Sequence, residues 1–493
     1  MEWIATYTCT NKFLPPPTLS TEDFMTFTQW YNCLSDGAKK REALIALSHL
    51  LRGDPIDVRI QPFSKLEYVH SEDKDVRIIS GPKDPKTKII MGPVIKTVYK
   101  HFVAYWNGLK DLGPNGTFKR VWMYSRENDL SLLTQFSRVI REATKTLANP
   151  THSKQLGWLV CVNGDDNLVL VSNSNYTMTT MVNDGKRWDA TQTEGILAVE
   201  NAILARQAAN FDSIVIGNLN EIPEKNRDID RLLISDIQDY GEYEYSCFDT
   251  FVNVLNREVG IDGTTEGGCI TMVKADPQGG WKMEAVLTSQ MVSGSQRTTL
   301  GNGVINGTRC IHYCEEKCQE RPTSATWEHH WRSAGINPEV GVFDTVTDAD
   351  FCSMRIMPVG DDVYAVPKFG KFLLRMGWSR TKPRPLSHAR GLITCLWPLR
   401  DVPYIGPWIR RIGLLVNAPD LKGHFPRGYE YSSFHGKNDY VPPPTDQTWS
   451  WIGRTYGVDE EHHAQWLSQL NTVHALPCVL DSSLLQPLFD TDT

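Results

Sequence analysis

The stretch GWLVCVNGDDNLVLVS, residues 157–172, decides how the chain is read. Two runs of apolar and β-branched residues flank Gly164-Asp165-Asp166, which suits a tight turn. The segment therefore predicts a β-hairpin with buried arms and two carboxylates at its tip. Adjacent carboxylates repel each other unless a cation sits between them. Hard divalent cations such as Mg²⁺ take oxygen ligands, typically one or two carboxylates plus substrate phosphates. A Gly-Asp-Asp alone is a weak signal, because a chance occurrence in a chain of this size is on the order of one in ten. The chain also holds a second one, in SMRIMPVGDDVYAVP at 353–367, with strand-like flanks of its own.

Working outward, the chain leaves Val171, turns through SNSNY and enters TMTTMV, a strand signal that leads to Asp184, with Asp189 five positions later. Neighbouring antiparallel strands joined by so short a turn would set Asp165 beside Asp184. Further on, SQMVSGSQRTTLGNGVIN (289–306) has the pattern S-G-x-x-x-T-x-x-x-N at Ser293, Gly294, Thr298 and Asn302. This reads as a loop flexible at Gly294 that feeds a helix carrying Thr298 and Asn302 one turn apart. Upstream, FKRVWMYSREN (118–128) contributes Lys119, Arg120 and Arg126. Each feature has a plainer reading by itself: a solvated turn, a loop before a helix with Asp189 near its N-cap, a glycine-rich turn.

Together these residues resemble the palm motifs of viral RNA-dependent RNA polymerases, over roughly residues 115 to 410. Asp184 and Asp189 match the D-x-x-x-x-D of motif A. Ser293, Gly294, Thr298 and Asn302 match motif B, and Gly-Asp-Asp is the usual motif C. Lys119, Arg120 and Arg126 resemble motif F more loosely. RMGWSRTKP (375–383) and GLITCLWP (391–398) are similar to motifs D and E. The resemblance implies template-directed RNA synthesis from nucleoside triphosphates, dependent on Mg²⁺ or Mn²⁺. In it Asp165, Asp166 and Asp184 hold the metals. Asp189, Ser293, Gly294, Thr298 and Asn302 meet the ribose, and Lys119, Arg120 and Arg126 meet the triphosphate. The partners it implies are an RNA template, nascent RNA, nucleotides, and viral capsid or other replication proteins, in the host cytoplasm or inside the virion.

Two motif orders remain open. The usual A-B-C order makes Asp361 and Asp362 the motif C pair. A permuted C-A-B order, as in birnaviruses and permutotetraviruses, makes Asp165 and Asp166 that pair. The permuted order is preferred, because the first hairpin leads directly into the Asp184 strand and the A-to-B distance, 293 − 184 = 109 residues, is long for the usual one.

The rest of the sequence is compatible. With 493 residues, 41% of them hydrophobic, the chain is long enough for a large core. Eleven cysteines, an odd and sparse set, read as reduced thiols rather than a disulfide framework. The N-terminus MEWIATYTCTNKF lacks a cationic start and an apolar run, so a soluble intracellular protein with no membrane span is expected. A net charge of −7 means that any polynucleotide contact must be a local basic channel.

Helical periodicity marks 22–34, 39–53, 130–147 and 194–211, and strand signals lie at WLVCV, NLVLV, TMTTMV, ITMV, MEAVLT and FCSMRIMPV. The expected fold class is α+β in a right-hand arrangement. An N-terminal extension and fingers occupy 1–154, a fingers insertion 207–282, palm 155–206 and 283–400, and a thumb or C-terminal region 401–493. Cys310, Cys314 and Cys318 stack on one helix face and read as a core stripe rather than a zinc site. EEHH at 460–463 reads as a solvated helix face. The rival functions are a non-catalytic RNA-binding or capsid-associated protein and a reverse transcriptase-like nucleotidyltransferase.

Overall fold

The structure is a computed structural model. It describes residues 2–34, 37–64, 78–109, 117–125, 131–148, 157–173, 176–185, 188–222, 237, 244–246, 248–259, 269–273, 282–286, 291–292, 294–318, 320–375, 385–416, 440–476 and 483–492. Of the expected features, Arg126, Ser293 and all of the motif D stretch after Arg375 lie outside the described residues.

The mixed α+β class holds. Near the N-terminus β1 (Ile60–Ser64) and β2 (Ile78–Pro82) form a hairpin. The central sheet begins with β3 (Lys119–Met123), β4 (Gly157–Asn163), β5 (Asp166–Asn173) and β6 (Tyr176–Gly185). Two short strands, β7 (Ser213–Val215) and β8 (Glu244–Ser246), pair with each other. A further hairpin, β9 (Cys269–Val273) with β10 (Lys282–Val286), extends the β1–β2 sheet in the order β10-β9-β1-β2. Then come β11 (Pro338–Phe343), which closes the central sheet, and a three-stranded sheet of β12 (Asp350–Phe351), β13 (Met354–Val359) and β14 (Asp362–Pro367).

The central sheet has the order β11-β6-β5-β4-β3, antiparallel except for the parallel β3–β4 pair. Its middle strands are apolar runs because both faces are covered. On one face Val160, Val162, Val169, Val171 and Met181 pack with the helices Pro85–Gly108 and Thr298–Glu316. On the other, Leu159, Cys161, Leu168 and Leu170 pack with the Leu132–Leu147 helix, the β13–β14 hairpin and the C-terminal helices. Alternation along β5 therefore sends Asn167 to the first face and Asp166 to the second.

The predicted helices appear as Phe27–Cys33, Gly37–Leu51, Leu132–Leu147 and Glu194–Gln207, and the predicted strands have counterparts except FCSMRIMPV, which a two-residue turn at Cys352 and Ser353 splits into β12 and β13. The expectation omitted the 24-residue helix Pro85–Gly108, whose Gly92-Pro93 reads as a breaker in the sequence. In the fold Gly92 is needed: a Cβ there would sit 2.3 Å from the Trp30 ring, so the ring replaces a side chain. Among the described residues no helix is long and apolar enough to cross a membrane.

Candidate active site

The β4–β5 hairpin closes on a two-residue turn, since Asn163 pairs with Asp166. Gly164, the first turn residue, has φ +62°, a conformation open to glycine at little cost. On the other side of β5 the register runs Leu168↔Val182 and Asn167↔Asn183. The next residues beyond that last pair are Asp166 and Asp184, close enough for the Asp184 charge to act on Asp166. Asp184 in turn pairs with Glu339 of β11, so acids occupy three neighbouring strands at one end of the sheet.

This crowding shows in the electrostatics. Burial, then the charges of Asp165 and Asp184, push Asp166 up to about 7 from its ordinary 3.8. Asp184 is exposed and Asp165 half-buried, so the oxygens face an accessible edge. Among the described residues no three ligating side chains are gathered closely enough to cage an ion alone.

The tip is held from both faces. From the first, the Thr298–Glu316 helix reaches in with Asn306, whose amide donates to the Gly164 carbonyl (3.2 Å) and accepts from Asn167 Nδ2 (2.8 Å). The helix runs close to the turn here: a Cβ at Gly303 would lie 3.8 Å from the Gly164 nitrogen and would displace only the terminal methyl of Met123. From the second face comes the β12–β13 turn. Cys352 Sγ lies 3.5 Å from Asp166 Oδ2 and accepts from Asn163 Nδ2 at 3.3 Å. Burial and the Asp166 charge raise the Cys352 thiol well above its usual range, so it stays protonated and donates.

The motif B residues start the same helix. Asn302 Nδ2 lies 3.4 Å from Asp189 Oδ1, so the two residues expected at the ribose meet. Thr298 is the first residue of the helix, and its hydroxyl donates to the Val292 carbonyl (2.7 Å), closing the preceding loop. Gly294 donates to the Ser80 carbonyl at 2.6 Å. A buried ion cluster fixes this loop: Arg297 Nε and Nη2 reach Glu200 Oε1 at 2.9 and 2.8 Å, and Ser295 Oγ reaches Glu258 at 2.7 Å.

The cations expected at the triphosphate lie elsewhere. Lys119 pairs with Trp158 in the register, while Met123 pairs with Val162 near the tip. Lys119 is therefore four residues, about 13 Å, down the strand. Its ammonium meets Glu315 at 2.6 Å, and Arg120 is ion-paired with Glu142. The second Gly-Asp-Asp is also remote. Its turn is at the opposite end of β13 from Cys352, six residues or about 20 Å along a strand. Asp361 is exposed, and Asp362 pairs with Lys145 at 2.6 Å.

Three contributors were missed: Asn306, Cys352 and Glu339. Asn306 was legible, since it continues the four-residue spacing of Thr298 and Asn302. Cys352 and Glu339 depend on strand pairings that no local pattern announces. Cys310, Cys314 and Cys318 are buried in the core against the first face. The EEHH segment departs from expectation: His462 Nδ1 bonds the Tyr404 hydroxyl at 2.8 Å and His463 packs on Trp449, while the two glutamates are exposed.

No family model matches the chain, and no curated protein matches it either. Among solved structures, the RNA polymerase VP1 from Infectious Pancreatic Necrosis Virus aligns at a TM-score of 0.43 and 11% identity, over 94% of this chain and 53% of that one. The chain thus spans about half the length of that polymerase. At that score the likeness decides nothing about activity.

Proposed function

We propose that the chain is a viral RNA-dependent RNA polymerase with a permuted palm, in which the β4–β5 hairpin precedes the Asp184 strand. The observation that carries this reading is the strand register, which pairs Asn167 with Asn183 and so brings Asp166 and Asp184 together at the sheet's end, along with the contact between Asn302 and Asp189. A coat or packaging protein has no use for acids on neighbouring strands at an accessible sheet edge. The fingers, palm and thumb boundaries, the RNA and nucleotide partners, the capsid or replication partners, and the setting in the host cytoplasm or virion belong to the same proposal.

Asp165, Asp166 and Asp184 are the residues that would hold Mg²⁺ or Mn²⁺. Such ions, when bound, supply the positive charge that stabilises both oxygens of an in-line phosphoryl displacement. The chain's own residues do the rest. Asp189 and Asn302 form a polar pair that would hydrogen-bond a 2′-hydroxyl, the group that separates ribo- from deoxyribonucleotides. That pair argues against a reverse transcriptase. Asn306 and Cys352 hold the hairpin so that its carboxylates need not reorganise. With Lys119 and Arg120 committed to Glu315 and Glu142, triphosphate binding falls to other cations or to a rearrangement of these pairs.

The test is RNA synthesis on a short RNA template with Mg²⁺ or Mn²⁺, comparing wild type, Asp165→Ala and Asp361→Ala after both variants are shown to be folded. Loss confined to Asp165→Ala is expected. Loss confined to Asp361→Ala would overturn the permuted order, and no synthesis by wild type under any metal or template would count against the polymerase reading itself.

A further inference from the structure

Cys352 and Ser353 form the two-residue turn between β12 and β13, because Phe351 pairs with Met354. Their φ values are +53° and +60°. A two-residue hairpin turn with both φ positive is normally built from Gly, Asn or Asp. Here two residues with ordinary side chains hold it, and each such conformation is strained. Tyr404 is the only other non-glycine residue with positive φ among those described. Strain of this kind persists only where the surroundings hold it, and they do: Lys371 Nζ bonds Ser353 Oγ at 2.9 Å, and Lys368 N bonds the Ser353 carbonyl at 3.2 Å. A glycine at 352 would relieve the backbone, but it would remove the thiol between Asn163 and Asp166.

We propose that Cys352 is a positioning residue for Asp166, held in a strained turn so that its thiol fixes one carboxylate oxygen and leaves the other for a cation. The inference rests on the reading of Asp166 as a metal ligand. The donor order is Asn163 amide to sulfur and S–H to Asp166 Oδ2, so each group has its hydrogen-bond role and neither competes for Oδ1. An outer partner that orients a ligand typically changes metal affinity by about 10- to 100-fold when removed. The proposal also gives the second Gly-Asp-Asp unit a part in the site: its sheet delivers Cys352 from the end away from its own carboxylates.

The experiment is Mn²⁺ binding to the full chain, followed by electron paramagnetic resonance without RNA or nucleotide, alongside thermal unfolding. The variants are Asp166→Ala, Cys352→Gly, Cys352→Ser and Ser353→Gly. Cys352→Gly is expected to bind Mn²⁺ about ten-fold more weakly while its metal-free Tm stays level or rises by about 1–2 °C. Cys352→Ser, which keeps a donor, is expected to recover most of the affinity, and Ser353→Gly to gain the Tm without losing affinity. Wild-type affinity in Cys352→Gly would overturn the inference, as would a fall in affinity that merely follows a fall in Tm. If Asp166→Ala itself binds Mn²⁺ like wild type, the metal-ligand reading fails first, so the two failures are distinguishable.

Discussion

The two Gly-Asp-Asp hairpins have nearly the same backbone. Each closes on two residues, with Asn163 facing Asp166 in one and Val359 facing Asp362 in the other, and the leading glycines have φ +62° and +60°. Their neighbours differ. The first sits inside a five-stranded sheet, where β6 brings Asp184 alongside and the Thr298–Glu316 helix clamps the turn through Asn306. The second sits in a three-stranded sheet. There Thr445 Oγ accepts from Gly360 N at 3.2 Å, Thr448 Oγ donates to the Pro358 carbonyl at 2.6 Å, and Lys145 neutralises Asp362. A turn presents carboxylates; the adjacent strand decides whether they gather or are neutralised.

The largest difference between the hairpins is expected in activity. Asp166→Ala should lower RNA synthesis by about 10³-fold or more, because a ligand that acts in the transition state is lost. Asp362→Ala should stay within about two-fold, as a surface substitution away from the chemistry. Equal losses in primer extension would erase the distinction.

The clamps come next. Asn306→Ala leaves Asn167 and the Gly164 carbonyl without their buried partner, so it should cost about 1–3 kcal/mol and lower activity. Thr448→Ala, the matching change at the second hairpin, should cost about 1 kcal/mol in chemical denaturation with no change in activity.

A smaller effect follows from the proton on Asp166. Its pKa in the fold, about 7, lies above the ordinary 3.8. Between those values the folded state binds more protons than the unfolded one, so this group's contribution to stability is present below pH 4 and lost as pH rises through 7. The metal-free Tm of wild type should therefore fall from pH 5 to pH 8 relative to Asp166→Asn, and Mg²⁺ should raise Tm more at pH 8 than at pH 5. Asp362→Asn should leave that pH dependence in place.

The smallest effect is expected for Lys145→Ala. The lysine side chain is 62% exposed, so its pair with Asp362 should contribute no more than about 0.2–1 kcal/mol and fade with salt.

Much of this was readable in one dimension. Apolar runs on either side of a glycine turn specify a buried hairpin, and a four-residue spacing puts Thr298 and Asn302 on one helix face. Both are short-range signals. The Pro85–Gly108 helix escaped because Gly92-Pro93 is a local stop signal that tertiary packing overrides, with Trp30 filling the space above the glycine. The expected basic residues were found by their charge, yet charge says nothing of position along β3, and Lys119 lies at the wrong end for the tip.

Local pattern was enough for the two hairpins, the helix that follows Gly294 and the mixed class, because periodicity and turn chemistry act over a few residues, and the resemblance in motifs pointed to the candidate acids. The short turn before Tyr176 already brought the first hairpin beside the Asp184 strand; tertiary packing alone added Glu339 and Cys352 and left the second Gly-Asp-Asp remote. Strand pairing joins residues distant in the chain, as Asp184 with Glu339, and the packing of one sheet on another sets Cys352 against Asp166. Those contacts depend on register and layer order, which no local pattern encodes.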